Sequence, residues 1–258
     1  MRSPACSARR RNAAAPVPHP WRRRAATDLL RAVLLLLLIA ATPAAAQLGG
    51  ALTFASEARL RGQPISDHRP VAEVELVHDS RSGFYLGGSA AFVASVDAGL
   101  QPLAFKQYAG FAQRLPSGAT LDIGLLHSGY TEYSDIAYGG SYTEAYVGLI
   151  DRNLSARLSF SPAYFRKDQP TLYLEVDGHL ELTRNWLLFA HAGRLSYFNE
   201  RGSAARGGSV TDWRLGLRRH IGAVDLEAAW TAYVQDRRRY GSSRRIEDSL
   251  VVALAVPF

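Results

Sequence analysis

From residue 47 onward, apolar and polar side chains alternate in blocks of about ten residues, and no block sustains a helical period. In Leu154–Tyr164, the residues Leu154, Ala156, Leu158, Phe160 and Tyr164 share one face, and Ser155, Arg157, Ser159 and Ser161 the other. In Thr171–Leu182, Leu172, Leu174, Val176, Leu180 and Leu182 oppose Tyr173, Glu175, Asp177, His179 and Glu181. Side chains alternate across a strand, so each block has one lipid-compatible face and one polar face. The pattern predicts twelve strands, at 51–61, 71–78, 84–95, 103–115, 119–130, 142–151, 154–165, 171–182, 186–198, 210–220, 223–235 and 245–258. The block at 186–198 is ambiguous, because both its faces carry apolar residues.

The connections alternate in length as well. Those at 79–83, 116–118, 152–153, 183–185 and 221–222 are short; those at 62–70, 96–102, 131–141, 199–209 and 236–244 are longer, with 166–170 the exception. Bacterial barrels have short periplasmic turns, longer external loops and an even strand number. The expected fold is therefore all-β: a closed antiparallel transmembrane β-barrel with both termini periplasmic.

The apolar run Ala32–Ala41 breaks the pattern. It is too short for a spanning helix, which needs roughly 20 residues. Arg22, Arg23, Arg24 and Arg31 precede it, and Pro43 and the small residues Ala44, Ala45 and Ala46 follow. This is the three-part layout of a secretory signal peptide. Cleavage between Ala46 and Gln47 is expected, dividing the chain into a leader at 1–46 and a barrel at 47–258. The division changes the charge balance. Taking the eight arginines and one aspartate of residues 1–46 from 30 basic and 23 acidic groups leaves 22 of each. The formal charge of +7 belongs to the leader and gives no reason to expect nucleic-acid binding. The single cysteine, Cys6, also lies in the leader, so a disulfide, a thiol nucleophile and a cysteine metal site are excluded from the barrel.

The last strand carries a further signal. Phe258 ends a face shared with Val256, Leu254, Val252 and Leu250. This resembles the terminal strand that outer-membrane barrels present to their insertion machinery. Aromatics near strand ends (Phe84, Tyr85, Tyr130, Tyr133, Tyr164, Phe165, Trp186, Tyr197, Phe198, Trp213 and Tyr233) fit girdles at the two headgroup levels.

Candidate chemistry is sparse. His127 and Ser128 are adjacent, so on a strand they point to opposite faces and cannot form a catalytic dyad. His179, His191 and His220 have no serine at a suitable spacing. Asp67, His68 and His78 are too few and too scattered for a metal site. No enzyme, cofactor or metal is expected. What remains is the polar face, which would line a lumen with Glu57, Arg59, Arg61, Glu73, Glu75, Lys106, Arg114, Asp122, Glu144, Arg157, Glu175, Asp177, Arg214, Arg218, Asp225 and Glu227.

Ser56-Glu57-Ala58-Arg59-Leu60-Arg61-Gly62 is similar to the S-D-Y-R-F-R-G opening of the proteobacterial Gcw_chp family. Ser66, Pro70 and Ser82-Gly83-Phe84-Tyr85-Leu86-Gly87 follow as they do in that family. Thr171–Glu175 and Asp212–Leu217 also resemble its strands. Ala58 and Leu60 depart from its aromatic positions. The resemblance implies an outer-membrane barrel and carries over no activity. Arg59 and Arg61 match best, and are expected either to line the lumen or to pair with Glu73 or Glu75 on the next strand, with the ion pair preferred. The expected function is a narrow porin-like channel for small polar solutes in the outer membrane of a Gram-negative bacterium. A filled structural or surface-interaction barrel and a membrane lipid hydrolase are the alternatives. The expected partners are outer-membrane lipids and the barrel-insertion machinery.

Overall fold

A computed structural model of the protein describes residues 48–134, 139–198, 208–238 and 242–258. The leader and the Ala46–Gln47 cleavage point lie outside the described residues. The described residues form one compact unit.

The chain forms strands β1 (Leu48–Ala55), β2 (Arg59–Leu60), β3 (Gln63–Pro64), β4 (Val71–Asp79), β5 (Phe84–Ser95), β6 (Gly99–Arg114) and β7 (Thr120–Tyr130). It continues through β8 (Ser141–Ile150), β9 (Leu154–Ser161), β10 (Thr171–Thr183), β11 (Trp186–Tyr197), β12 (Ser209–Ile221), β13 (Val224–Arg238) and β14 (Ser242–Pro257). Twelve of them close into one antiparallel barrel in which each strand pairs with its barrel neighbours and β1 pairs with β14; β2 and β3 form a separate hairpin. Closure satisfies the backbone groups that lipid cannot, each of which would otherwise cost several kcal/mol.

The seam runs in register from Ala51 opposite Pro257 to Ala55 opposite Ala253. Phe258 extends it by exchanging two backbone hydrogen bonds with Gly50, at 3.0 and 2.9 Å. At the other end Ser56 N–H donates to the Val252 carbonyl at 2.8 Å. There the first strand departs from expectation. It stops at Ala55 rather than residue 61, and Glu57, Arg59 and Arg61 lie on a loop that folds into the barrel.

The period-two pattern decides which side chains meet lipid. Leu86, Leu125, Leu174, Leu180 and Leu215 are each at least half exposed on the outer wall. The ambiguous block resolves as β11, with Leu187, Phe189 and His191 lining the lumen. Its inward apolar groups are covered from within: the Arg214 guanidinium lies 4.7 Å from the Phe189 ring centre, and Leu195 is fully buried. The aromatic girdle is thinner than the composition suggests. Phe84, Phe198, Trp186 and Trp213 are exposed, whereas Tyr130, Tyr164 and Tyr233 are buried. Adjacent residues on a strand cannot share a face, so Tyr85 turns inward to Asp122 while Phe84 stays outside.

A charge placed on the outer wall should therefore be costly while one in the lumen is not. Leu125→Arg should lower folding stability in lipid vesicles by about 2–4 kcal/mol. Ser155→Lys, which points into the cavity, should change it little. Urea titration of the boil-sensitive gel-mobility shift measures both, and equal effects would contradict the assignment of faces.

Candidate functional site

The site is the lumen, and the loop at 56–70 shapes it. Its β2–β3 hairpin is closed by the two-residue turn Arg61-Gly62, both with positive φ (50° and 74°). Hairpins favour this turn because its twist matches the strands, but the first position normally takes Asn, Asp or Gly. An arginine there holds strain of order 1–2 kcal/mol, so something must hold it in place. The tip meets the far wall: a Cβ on Gly62 would fall 2.6 Å from Asp212 Cβ and 2.9 Å from Tyr233 Cβ. Only glycine fits both the backbone angle and the space.

Arg61 is anchored on β8. Its side chain is 5% exposed and donates to the Glu144 carboxylate, itself 3% exposed. The guanidinium lies 4.2 Å from the Tyr173 ring centre and 4.8 Å from that of Tyr164, within cation–π range. Tyr142 and Tyr164 pack at 4.6 Å, and Phe165 lies edge-on to both. Together with Ile65 and Leu60 these rings fill the loop end of the barrel.

A second anchor lies beside the seam. Arg59 Nε donates to Glu57 Oε1 at 2.5 Å, and its Nη2 donates to Ser249 Oγ at 2.7 Å. Ser249 Oγ and His68 also bond to the Glu57 carboxylate. Burial alone would raise the Glu57 pKa, but the bonds from Ser249, Arg59 and His68 outweigh it and hold the carboxyl below its ordinary 4.5. The expected pairing of Arg59 or Arg61 with Glu73 or Glu75 does not form. Because β1 ends six residues early, the two arginines leave the β4 neighbourhood and reach Glu57 and Glu144 instead. Glu73 bonds to Ser89 at 2.6 Å and pairs with Lys106 at 3.6 Å, and Glu75 accepts from Tyr108 at 2.9 Å.

Below the loop lies a cavity of about 960 Å³ that reaches Asp151 and Leu154 at the short-turn end. Among the sequence-selected residues, Glu57, Arg59, Arg61, Glu73, Lys106, Glu144, Arg157, Glu175, Asp177, Arg214, Arg218 and Glu227 line it. The wall charges are largely paired. Arg157 meets Asp122 at 3.2 Å, while Arg214 and Arg218 share Glu227, at 3.0 Å for the first. Asp225 pairs with His220. Arg114 ends β6 at the short-turn end. Residues missed by sequence reasoning are Asp212, His191 and Glu247, together with the tyrosines Tyr85, Tyr146 and Tyr173 that bridge the charged groups. Asp212 was legible, since it sits two residues before Arg214 and must share its face. Ser128 is buried inside, whereas His127 bonds to Thr143 at 3.0 Å on the outer wall, so no dyad joins them. At the C-terminus, Val256 and Leu254 pair with β1 along the seam, and Leu254 and Phe258 are exposed.

A closed twelve-strand barrel with an outer apolar wall and a charged lumen has the architecture of a transmembrane β-barrel. The model of the family described as "Bacterial protein of unknown function (Gcw_chp)" matches residues 40–256, and the chain belongs to this family. Among solved structures, the chain is similar to the NanC porin at 12% identity and a TM-score of 0.51, covering 81% of this chain and 98% of that one. It also matches the KdgM porin (11% identity, TM-score 0.46, 81% and 99% covered) and the COG4313 outer membrane channel from Pseudomonas putida F1 (11%, 0.48, 82% and 95%). No curated protein matches the sequence.

Glu144→Ala should strand Arg61 as an uncompensated buried charge and undock the loop, a cost of about 3–5 kcal/mol. The measurement is trypsin cleavage after Arg59 or Arg61 in folded protein, fast in the variant and slow in the parent. The double variant Arg61→Ala/Glu144→Ala should be less sensitive than the sum of the single changes. Acid should act on the other anchor. Because the folded Glu57 pKa is depressed, its contribution is fully present above pH 4.5 and is lost as pH falls through the lower folded value. Loop protection should thus be constant from about pH 7 to 5 and decline only below about 4.5. A decline that begins above about pH 5 would contradict the assignment to Glu57.

Proposed function

We propose that this chain is a narrow channel for small polar solutes in the outer membrane, with the loop at 56–70 setting its bore. The observation that carries the reading is the charged cavity of about 960 Å³ inside a closed twelve-strand barrel. Both signs line it, so polar solutes find partners along the wall. Twelve strands lie between side-chain-filled eight-stranded barrels and open sixteen-stranded porins, which suits a bore that a single loop can narrow. In this reading the short turns and both termini face the periplasm, residues 1–46 direct export, and Phe258, Val256 and Leu254 are presented to the insertion machinery. The outer wall then meets membrane lipid.

One observation favours a second reading, a filled structural barrel: the aromatic cluster around Arg61 occupies the loop end of the lumen. Planar-bilayer recording separates the two. The channel reading expects small discrete conductance steps from refolded protein, and larger steps from Arg61→Ala/Glu144→Ala as the loop leaves the wall. Protein that inserts but never conducts, in the parent and in the double variant alike, would establish the filled barrel.

A further inference from the structure

The cavity wall carries one cluster that lies outside the loop anchors. Glu175 and Asp177 sit two residues apart on β10 and so share the lumen face. His191 on β11 is the direct register partner of Asp177. One ligand atom from each of the three lies within 4.8 Å of the others. We propose that Glu175, Asp177 and His191 bind a divalent transition cation of the zinc type in the lumen.

The argument rests on how His191 is held. Its Nε2 faces Asp212 Oδ1 at 3.0 Å, on the side away from Asp177. Asp212 is 2% exposed, and its carboxylate accepts from the Tyr173 hydroxyl at 3.2 and 3.3 Å. A side chain on Gly193, the partner of Glu175 across the ladder, would collide with the Tyr173 hydroxyl and fall 2.9 Å from Asp212 Oδ2. Glycine at 193 is therefore what lets this bond form. A buried carboxylate that accepts from one ring nitrogen fixes the imidazole tautomer and turns the other nitrogen outward. Metal-ligating histidines are oriented this way. Here the outward atom is Nδ1, 2.7 Å from Asp177 Oδ1 and facing the cavity.

A purely structural role, an imidazolium held between two aspartates, accounts for Asp177 and Asp212. It leaves Glu175 without a hydrogen bond among the described residues, held only by electrostatic attraction to Arg157, its register partner on β9, and to His191 and Arg61. Arg157 is engaged instead by Asp122 and lies over the Tyr146 ring, at 4.6 Å from its centre. With the cation in place, Glu175 and Asp177 supply two anionic oxygens and His191 a neutral nitrogen. Binding displaces the Nδ1 proton to solvent. One imidazole with two carboxylates suits zinc better than magnesium, which prefers an all-oxygen shell and keeps its waters. Three protein ligands leave a position open to water or to a passing solute.

The test is titration of refolded protein in detergent micelles with zinc ions, followed by calorimetry and by equilibrium dialysis. We expect one zinc per chain at micromolar affinity, with no competition from equimolar magnesium. Glu175→Gln and Asp177→Asn should each weaken binding at least 10-fold. Asp212→Asn, whose side chain meets the three ligands only at the far nitrogen of His191, should weaken it by about 10–100-fold. The boil-sensitive gel shift shows that each variant is folded, and the three amide substitutions keep the shape of the side chains they replace. Absence of binding, or one-to-one binding that survives both Glu175→Gln and Asp177→Asn, overturns the proposal. Binding is read on folded protein in micelles, so a barrel that fails to conduct leaves this result standing.

Discussion

A barrel in lipid can leave no backbone donor or acceptor open on its wall, and the rest of this structure follows from how that demand is met at the seam. β1 has eight residues and β14 has sixteen, so the closing pair is unequal. Along Ala51–Ala55 the ladder is complete. Beyond Ala55 the first strand has turned inward, and Ser56 continues the contact by donating its N–H to Val252 while its hydroxyl accepts from the Val252 N–H at 3.1 Å. The inward face of β14 above that point is met by side chains: Ser249 by Glu57 and Arg59, and Glu247 by Tyr233 at 3.1 Å. The early exit of β1 is thus both the weakest part of the wall and the source of the loop that narrows the lumen.

A loop inside a barrel must satisfy its own backbone as well. The β2–β3 pairing, the Ile65 N–H to Ala58 carbonyl bond at 2.9 Å and the Ser66 hydroxyl bridging Ala58 N–H to the Arg69 carbonyl do this locally. Positive φ values at Arg61, Gly62, Asp67 and His68 mark the two tight turns that make the fold-back compact. Two of these turns' residues, Arg61 and His68, are also the ones whose side chains reach anchors. At Arg61 and His68 the strained backbone and the ionic contact are parts of one arrangement.

How much of this was legible in sequence depends on period and distance. The alternation at Leu154–Ser161 and Thr171–Thr183 placed nearly every side chain on its observed face, because a pleated strand allows only two directions. Twelve strands and the short connections followed from the same signal. The exit of β1 at Ala55 was not legible, because Glu57, Arg59 and Arg61 keep the alternation of a strand while standing on a loop. Their partners were not legible either: Arg61 and Glu144 are 83 residues apart, joined only by closure of the barrel and the reach of the loop. The inward tyrosines were obscured by composition. An aromatic near a strand end reads as a girdle residue until the register shows which of two neighbours faces out.

The anchor chemistry bears on whether the loop is a fixed plug or a movable constriction. Removing one partner of a buried pair is costly because the other charge stays in a dry site. When the whole loop moves, Arg61 and Glu144 separate and both become hydrated, which recovers the desolvation cost that their pairing had to overcome. The net price of undocking is then well below the cost of deleting either residue, because a buried pair often stabilises little more than an apolar replacement. Release also relieves the left-handed strain at Arg61. Opposing release are the cation–π contacts with Tyr164 and Tyr173 and the packing of Ile65 and Leu60, which recur as often as the loop returns. A plug built only of apolar side chains would lose its full burial energy on opening. A charged pair at the centre makes the docked loop specific in geometry and, by the same argument, less costly to release than a wholly apolar contact.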